Sequence, residues 1–445
     1  MTRSTDPSPL RDDSGSAITL SKGISKRKVV YRWLAKVCYV RTSSALVSAW
    51  LSGATTSRHA YIRSTMIAGF SLARLGRLNE SSISVAATTL FTVYDIDCSV
   101  SPLLSSTLDF TNSTGTESSM GFEHLPHFFY SQIAVTPPKP TNDCTGRTVI
   151  ITGANSGLGK EAARHYVRLN AERVIIACRS AEKGEAAKQD IEQSTGRKGA
   201  IEVWQLDLAS YESVKQFAKR VNTLPRVDII IENAGIATAK YSMAEDNEST
   251  ITVNVVSTFL LALLVIPKLR ETATKYNILP TLTIVSSEVH HFTSFPERQA
   301  SSIFSTLNSK EEARMADRYN VSKFLEVVSI REIVKENPKL GEQFTLNFVN
   351  PGWCHSELMR EISNPIIKFI KLIMCRTTEV GSRTLVDAGL RGQESHGKYL
   401  SDSQVQKCSV LVEGPEGPEI QRRVWGELRE RLEKIEPGVT KVLSA

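Results

Sequence analysis

The sequence predicts an α/β protein built on a doubly wound parallel sheet. Apolar runs of strand length alternate with helical stretches from Thr148 onwards, which is the pattern of parallel strands joined by crossover helices. The runs are continuous in Val, Ile and Leu, as expected where helices cover both faces of a sheet. The predicted strands are Thr148–Thr152, Arg173–Cys178, Ile201–Leu206, Val227–Ile231, Thr281–Ser286, Phe344–Val349 and Lys398–Ser401.

The composition is that of an ordinary globular protein. Of 445 residues, 41% are hydrophobic and 23% are charged. The seven cysteines are odd in number and form no C-x-x-C pair, so neither a disulfide framework nor a metal site is predicted. We find no uncharged apolar run near the roughly 18 to 20 residues that span a bilayer, and therefore expect no membrane contact. A reducing, cytoplasmic location is the resulting expectation.

The chain divides by composition into a 1–119 extension, a 120–147 lead-in and a main domain at 148–445. The extension is rich in Ser and Thr and carries 13 Lys and Arg against 8 Asp and Glu. Three interpretations stay open: a disordered extension, an organellar transit peptide, or a segment absent from a mature protein that begins at Met120. The remaining residues carry 41 basic against 39 acidic side chains, a balance that disfavours nucleic-acid binding.

A glycine turn follows the first predicted strand. Glycines let a backbone turn tightly and approach a pyrophosphate, while a helix that starts near Lys160 would offer free amide hydrogens and the positive end of its dipole. The spacing is G-x-x-x-G-x-G, and its place between strand and helix predicts a dinucleotide site. The turn comprises Thr152, Gly153, Ala154, Asn155, Ser156, Gly157, Leu158 and Gly159.

The residue at the end of the second predicted strand indicates which dinucleotide binds. An acid at this position would bind the adenosine ribose hydroxyls of NAD(H), but the sequence has Arg179. A guanidinium can hold a 2′-phosphate by two parallel hydrogen bonds, so NADP(H) is the predicted cofactor. A solvated surface arginine is the alternative interpretation.

Tyr319 and Lys323 are four residues apart in a predicted helix, so their side chains share one face. A free tyrosine titrates near pH 10, too high for efficient proton exchange at neutrality. A nearby ammonium, together with the positive charge of an oxidised cofactor, is expected to favour the phenolate. The pair therefore predicts a proton-transfer site.

Four motifs in order resemble the short-chain dehydrogenase/reductase superfamily, over about 148–403, with its Rossmann-type fold. They are the glycine turn, Asp207-Leu208, Asn233-Ala234-Gly235 and the Tyr319/Lys323 pair. The retinol-dehydrogenase-like branch is the nearest, and residues 350–358 look like its fungal members, many of which serve secondary metabolism. The resemblance implies that Asp207 contacts adenine, that Asn233 and Gly235 line the cofactor pocket, and that Pro351 and Gly352 sit beside the nicotinamide. It also implies that Lys323 binds the nicotinamide ribose, and that Asn254 holds a water linked to Lys323.

The catalytic serine is one of two neighbours. Strand alternation sends Ser286 and Ser287 to opposite faces, and the family pattern assigns the second serine to the substrate carbonyl, so Ser287 is predicted. An insertion at about 288–318 separates them from Tyr319, and its residues His290 and His291 are expected at the surface or lining a pocket. Residues 365–374, apolar with two lysines, are interpreted as a substrate-side wall in preference to a membrane-touching helix.

These features predict an NADP(H)-dependent oxidoreductase that acts on a ketone, aldehyde or alcohol of a fairly apolar small molecule. Two alternatives stay open: a nucleotide-sugar epimerase or dehydratase of the same fold, and a non-catalytic NADP-sensing regulator. The oligomeric state stays open, although members of the family that the chain resembles often form homodimers through the helices that carry Asn254 and Tyr319.

Overall fold

The computed structural model describes residues 124–355 and 374–444. Predictions for residues 1–123 and for 356–373, including nearly all of the predicted substrate-side wall, lie outside the described residues. The first described element is the helix α1, Leu125–Ala134, which precedes the sheet and falls in the predicted lead-in.

An eight-stranded sheet forms the centre of the described region, in the order β10-β9-β8-β7-β4-β1-β2-β3. Neighbouring strands are parallel except β9 and β10, which form an antiparallel hairpin at one edge. The chain order reverses between β1 and β4, so the loops after these strands diverge and leave a crevice at their carboxyl ends. The strands are β1 Thr148–Thr152, β2 Arg173–Cys178, β3 Ile201–Gln205, β4 Ile229–Glu232, β7 Thr281–Val285, β8 Thr345–Asn350, β9 Tyr399–Ser401 and β10 Gln404–Gln406, and the pair β5 Met243–Ala244 and β6 Asn247–Glu248 lies apart.

Helices cover both faces of the sheet, as the continuous apolar strands predict. Along β1, Val149 and Ile151 join one core cluster with residues of α2, α3 and α8, whereas Ile150 joins the other with residues of α4, α5 and α7. The helices are α2 Gly157–Arg168, α3 Ala181–Thr195, α4 Tyr211–Asn222, α5 Ser249–Tyr276, α6 Ile303–Asn308, α7 Arg318–Glu336, α8 Thr378–Leu390, α9 Val410–Glu413 and α10 Gly417–Ile435. The predicted doubly wound α/β fold is confirmed.

The long helix α5 corrects the expectation about apolar runs. By length and composition this helix could cross a membrane, with a mean hydropathy of 2.1. The prediction that the sequence has no apolar run of this length was therefore wrong. However, 94% of its apolar window is buried inside the protein. Its apolarity is that of a core helix packed between the sheet and its neighbours.

The helix α10 packs on α7, which carries Tyr319. Trp425 of α10 is 1% exposed, its ring lies 6.5 Å from that of Phe259, and its Nε1 donates to Glu336 at 3.0 Å. In α7 only Lys335 and Glu336 are exposed. The helix face to which the resemblance assigns homodimer pairing is therefore covered by the chain itself.

Candidate active site

The glycine turn packs directly on the segment that follows β4. Gly153 has φ +67°, and a Cβ there would lie 2.9 Å from Cα of Ala234. A Cβ on Gly159 would lie 2.6 Å from Nδ2 of Asn233. Both positions therefore require glycine, one for its backbone conformation and both for close approach. The remaining predicted residues of the turn, Asn155, Ser156, Gly157 and Leu158, are half-buried.

The helix after the turn begins earlier than predicted. α2 starts at Gly157 rather than near Lys160, so two of the three glycines belong to its first turn. Its N-cap residue, Ser156, makes no side-chain capping bond. The first backbone amides of α2 are thus available at the carboxyl edge of β1, where a helix favours an anion.

Asn233 connects the ends of β1 and β4. Its Nδ2 donates to the carbonyl oxygen of Thr152 at 2.8 Å, while its backbone N–H and that of Ala234 donate to Oγ1 of Thr152, both at 2.9 Å. This amide therefore holds the turn against the Asn233-Ala234-Gly235 segment. A Cβ on Gly235 would lie 3.9 Å from Nζ of Lys323, which places this segment beside the predicted proton-transfer pair.

Two predicted adenosine contacts lie at the same edge of the sheet. Arg179 follows β2, is exposed, and has no hydrogen-bond or ion-pair partner among the described residues. Asp207 follows β3 and is half-buried, with Oδ1 accepting from the backbone N–H of Ala209 at 3.0 Å. At the same edge of the sheet as the glycine turn, the structure therefore places a guanidinium that has no partner among the described residues. It also places there a carboxylate of which one oxygen accepts a hydrogen bond from the backbone.

Tyr319 and Lys323 converge as predicted, with Nζ of Lys323 5.9 Å from the centre of the Tyr319 ring. Lys323 is buried and its Nζ donates to the carbonyl oxygen of Val285 at 2.9 Å and to Oε1 of Glu326 at 2.7 Å. The Val285 bond ties the ammonium to the carboxyl end of β7. Burial alone lowers the pKa of Lys323, but Glu326 and Tyr319 outweigh burial and raise it.

Lys323 lowers the pKa of the Tyr319 phenol, as expected, but burial has a larger effect in the opposite direction. Burial raises the pKa of the Tyr319 phenol, and Glu326 adds to the rise, although Lys323 and a hydrogen bond from Ser287 oppose it. The phenol is therefore the stable form at neutral pH. A protonated Tyr319 is suited to donating a proton.

The two candidate serines have different surroundings. Ser287 is half-buried and close enough to Tyr319 to lower the pKa of its phenol, whereas Ser286 is buried with its Oγ 3.3 Å from the carbonyl oxygen of Lys323. Ser286 also acts on Glu326, lowering its pKa against the larger effect of burial. Both follow the last residue of β7, Val285, one residue earlier than the predicted end of the strand. Ser287 is thus the serine that adjoins the phenol.

Asn254 lies in a π-helical turn, Thr252–Val256, rather than in regular α-helix. Its Oδ1 accepts from the backbone N–H of Ile236, and its Nδ2 donates to the Ile236 carbonyl oxygen, both at 2.9 Å. Nδ2 also lies 3.0 Å from Oγ of Ser322. A π-turn widens the helix locally and is frequent at functional sites. It positions this fully buried amide between the segment after β4 and the helix α7.

Sequence reasoning missed the contribution of α1. Pro351 and Gly352 follow β8, and the next residue, Trp353, pairs with the side-chain amide of Gln132 in α1, whose nitrogen donates to the Trp353 carbonyl at 3.2 Å. Arg376 connects the same region by donating to the Ser131 carbonyl at 2.8 Å and to Asp402 at 2.6 Å. The lead-in segment therefore packs against the predicted nicotinamide side of the site.

His124, His127 and Glu288 form a second group at this end of α1. Their potential ligand atoms lie within 4.8 Å of one another, a grouping that could hold a metal ion although the sequence predicted none. Glu288 is already satisfied by protein partners, since Oε1 pairs with Nε2 of His124 at 2.7 Å and Oε2 accepts from Nδ2 of Asn350 at 3.0 Å. The contact joins α1 to the residue after Ser287.

The two insertion histidines do not lie at the surface, which was one of the two positions expected for them. His290 is fully buried and His291 is 7% exposed. The Nδ1 of His290 lies 2.7 Å from the carbonyl oxygen of Ser287, and its Nε2 accepts from the backbone N–H of Ser409 at 3.2 Å. The ring of His291 stacks on that of His124 at 3.7 Å. Burial lowers the pKa of His290 to about 4, so this histidine is neutral and structural at pH 7.

The fold and the site define a dinucleotide-binding oxidoreductase of the α/β class. Residues 147–281 match the family model for short chain dehydrogenase. The chain is 53% identical over 319 residues to the short chain dehydrogenase/reductase dmxR8 of Cryptosporiopsis sp. (strain 8999), covering 70% of this chain and 98% of the relative. It is 42% identical over 366 residues to the short-chain dehydrogenase anuD of Penicillium roqueforti (strain FM164), covering 80% and 93%.

Among solved structures, a short chain dehydrogenase from Shigella flexneri 2a str. 301 complexed with NADP matches with a TM-score of 0.43 and 23% identity, covering 60% of this chain and 100% of that one. The relatives above show that the chain belongs to the short-chain dehydrogenase family, as its motifs predicted. Members of this family bind NAD(P) and act on alcohol or carbonyl groups of small molecules. Both relatives are fungal.

Proposed function

We propose that this protein uses NADP(H) to reduce a ketone or aldehyde on a fairly apolar small molecule, or to oxidise the corresponding alcohol. The observation that carries the proposal is the convergence of Tyr319, Lys323 and Ser287 beside the glycine turn. A phenol, an ammonium and a hydroxyl placed together can polarise a carbonyl oxygen and protonate it.

The residues of the dinucleotide site fit a nicotinamide cofactor. The uncapped amides of α2 and the close-packed turn at Gly153 and Gly159 suit a pyrophosphate. Asp207 would contact the adenine, and Lys323 the ribose next to the nicotinamide. When bound, the reduced cofactor supplies a hydride. The exposed, unpaired Arg179 supports NADP(H) over NAD(H), because a guanidinium matches a phosphate by parallel hydrogen bonds.

In reduction, Ser287 donates a hydrogen bond to the substrate carbonyl oxygen and so stabilises the negative charge that develops there. Tyr319, held as the phenol by its surroundings, transfers its proton to the same oxygen. Lys323 stabilises the resulting phenolate by its positive charge and is itself fixed by the Val285 carbonyl. Asn254 fixes the segment after β4 and the neighbouring turn of α7 through Ile236 and Ser322.

Aromatic side chains near this edge support an apolar substrate. The ring of Phe128 in α1 lies 6.4 Å from that of Phe292 and 6.2 Å from that of Trp353. These rings come from three separate segments around Ser287 and Gly352. The similarity to the fungal relatives supports a role in fungal secondary metabolism, for which we propose a cytoplasmic location.

Substitution of Tyr319 by Phe tests the proposal. It removes the transferable proton and little else, so turnover of a reducible carbonyl probe should fall by about 10² to 10⁴, while NADPH affinity and the melting temperature stay close to those of the parent. Turnover is followed by NADPH absorbance and binding by fluorescence. Tyr276→Phe is the matched control, since that hydroxyl bonds the Pro225 carbonyl at the far end of α5. Full activity in Tyr319→Phe would show that the proton comes from another group.

A further inference from the structure

Two buried carboxyl groups without an assigned role lie in this part of the site: Glu326 pairs with Lys323, and Glu326 in turn acts on Glu232. Glu326 follows Lys323 one helical turn later in α7 and is 1% exposed, with Oε1 2.7 Å from Nζ of Lys323. Glu232 is the last residue of β4 and is 4% exposed. Within the described residues, Oε2 of Glu326 and both carboxyl oxygens of Glu232 have no hydrogen-bond partner.

Buried carboxyl groups with unpaired oxygens destabilise a fold, so their presence requires an explanation other than stability. A buried carboxyl oxygen without a hydrogen-bond partner loses its hydration and gains nothing in return, which holds for both oxygens of Glu232 and for Oε2 of Glu326. Three isoleucines precede Glu232 in β4, so an apolar residue would suit its surroundings. The same holds for the α7 position of Glu326, which lies between the buried residues Leu325 and Val327. The placement of Glu326 against the proposed catalytic lysine, with Glu232 close enough to interact with Glu326, is thus better explained by chemistry than by packing.

The ionisable groups that act on Glu326 belong to one small cluster. They are Lys323 and Tyr319 on α7 and Glu232 on β4, and Ser286 adds a hydroxyl. The helix α10 and the turn Glu288–His291 also pack on α7, but among the described residues they contribute no group that shifts Glu326. Burial raises the pKa of Glu326 to about 7 although Lys323 opposes this, and burial together with Glu326 keeps Glu232 protonated by raising its pKa.

We propose that Glu326 is a positioning residue that anchors the Lys323 ammonium and sets the pH range over which Tyr319 can donate its proton, with Glu232 as its neutral neighbour. This inference rests on the proposed roles of Tyr319 and Lys323. A carboxylate at Glu326 has two effects, which raise the pKa of Lys323 and the pKa of Tyr319. It keeps Lys323 charged, and its negative charge opposes ionisation of Tyr319, so the phenol survives to higher pH. Glu326 therefore favours proton donation, which is the reductive direction.

The substitution Glu326→Gln removes the charge but keeps an oxygen that can accept from Lys323. The measurement is kcat/KM for reduction of a carbonyl probe from pH 6 to 10, where the alkaline fall reports ionisation of Tyr319. We expect this fall to move to lower pH by roughly one pH unit, the size of effect that one close charge exerts. In the oxidative direction, the rise of activity with pH should move the same way, because there the phenolate is the active form.

A matched control is available on the same helix. Glu332 is 3% exposed and forms an ion pair with Lys335 at 3.0 Å. Like Glu326 and Lys323, these two residues are three positions apart. Glu332→Gln should leave the pH profile where it is in the parent. Glu326→Asp, which retains the charge, should return the profile most of the way to that of the parent. If Glu326→Gln fails to fold, Glu326→Met removes the charge without burying an amide, and the same shift is expected.

The outcomes separate this inference from the proposed function. A folded Glu326→Gln or Glu326→Met protein with an unshifted profile overturns the role of Glu326. If Tyr319→Phe is inactive in the same assay, the proposed function stands regardless. Should Tyr319→Phe retain full activity, the proposed function itself fails, whatever Glu326 does.

Discussion

Replacement of Glu326 by Gln should change how the folding stability of the protein depends on pH, independently of catalysis. Glu326 is almost fully buried, and burial raises its pKa from 4.5 to about 7 in the folded protein. In the unfolded chain the carboxyl returns to its ordinary value. Below pH 4.5 both states are protonated and the group has no pH-dependent effect. As the pH rises towards 7, the unfolded chain ionises first, which favours unfolding.

The magnitude follows from the size of this displacement. A pKa raised from 4.5 to about 7 corresponds to a loss of stability on the order of 3 kcal/mol between the two ends of that range. Gln does not titrate, so the variant lacks this loss. Its stability relative to the parent should therefore increase by about that amount from pH 4.5 to 7.5. The pKa of about 7 already includes the opposing effect of Lys323 on the Glu326 carboxyl.

Urea unfolding of both proteins, followed by circular dichroism at pH 4.5, 6 and 7.5, gives the two stability curves. Glu232 also titrates at a raised pKa, so the variant keeps some pH dependence of its own. Only the difference between the curves reports on Glu326. A difference that stays constant across the range would refute the reasoning, because it would mean that folding does not change the proton affinity of Glu326.

Four further predictions concern the serines, the cofactor, the residues 1–119 and the oligomeric state. Ser287→Ala should reduce turnover about 10²-fold through lost polarisation of the carbonyl, and Ser286→Ala much less; equal losses in NADPH-coupled assays would contradict this. Fluorescence titration should show that NADPH binds at least about tenfold more tightly than NADH. The substitution Arg179→Asp should reduce this difference in affinity, whereas the control Arg168→Asp, at the far end of α2, should leave it unchanged. Equal affinities of the parent protein for NADPH and NADH would show that Arg179 does not bind the 2′-phosphate. Removal of residues 1–119 should leave a cooperative melt and cofactor binding, and a lost transition would show that the segment packs on the domain. Light scattering should give the 49.2 kDa mass of one chain, because α10 covers the pairing face; a dimer mass would contradict it.

The strands were predicted well because their signal is local. Each strand of the sheet that was predicted lies within two residues of its prediction, since long Val, Ile and Leu runs bounded by turns leave few alternatives. The start of α2 was predicted near Lys160 instead of at Gly157, because the glycines were assigned to the loop before the helix. In the structure, Gly157 and Gly159 lie inside the helix: Gly157 has φ +58°, and at Gly159 the close approach of Asn233 leaves no room for a side chain.

The site was predictable only where spacing carries the information. Tyr319 and Lys323 are four residues apart, so their convergence follows from helix geometry. Glu326 was missed because a glutamate in a helix ordinarily faces solvent, and its burial depends on packing from distant segments. Glu232 was missed because a charged residue after an apolar run was taken as the end of the strand. The contact between His124 and Glu288 spans 164 residues, and no local pattern signals it.

The covering of α7 by α10 has a consequence during synthesis of the chain. Tyr319 and Lys323 leave the ribosome well before Trp425, so the helix that carries them emerges while the apolar surface later buried by α10 is still open. The nascent chain must keep this surface from associating with other chains until its last helix arrives. A product that ended before Gly417 would contain every predicted catalytic residue and yet expose the face packed by Val424, Trp425 and Leu428. We expect such a fragment to aggregate rather than to act as a smaller enzyme.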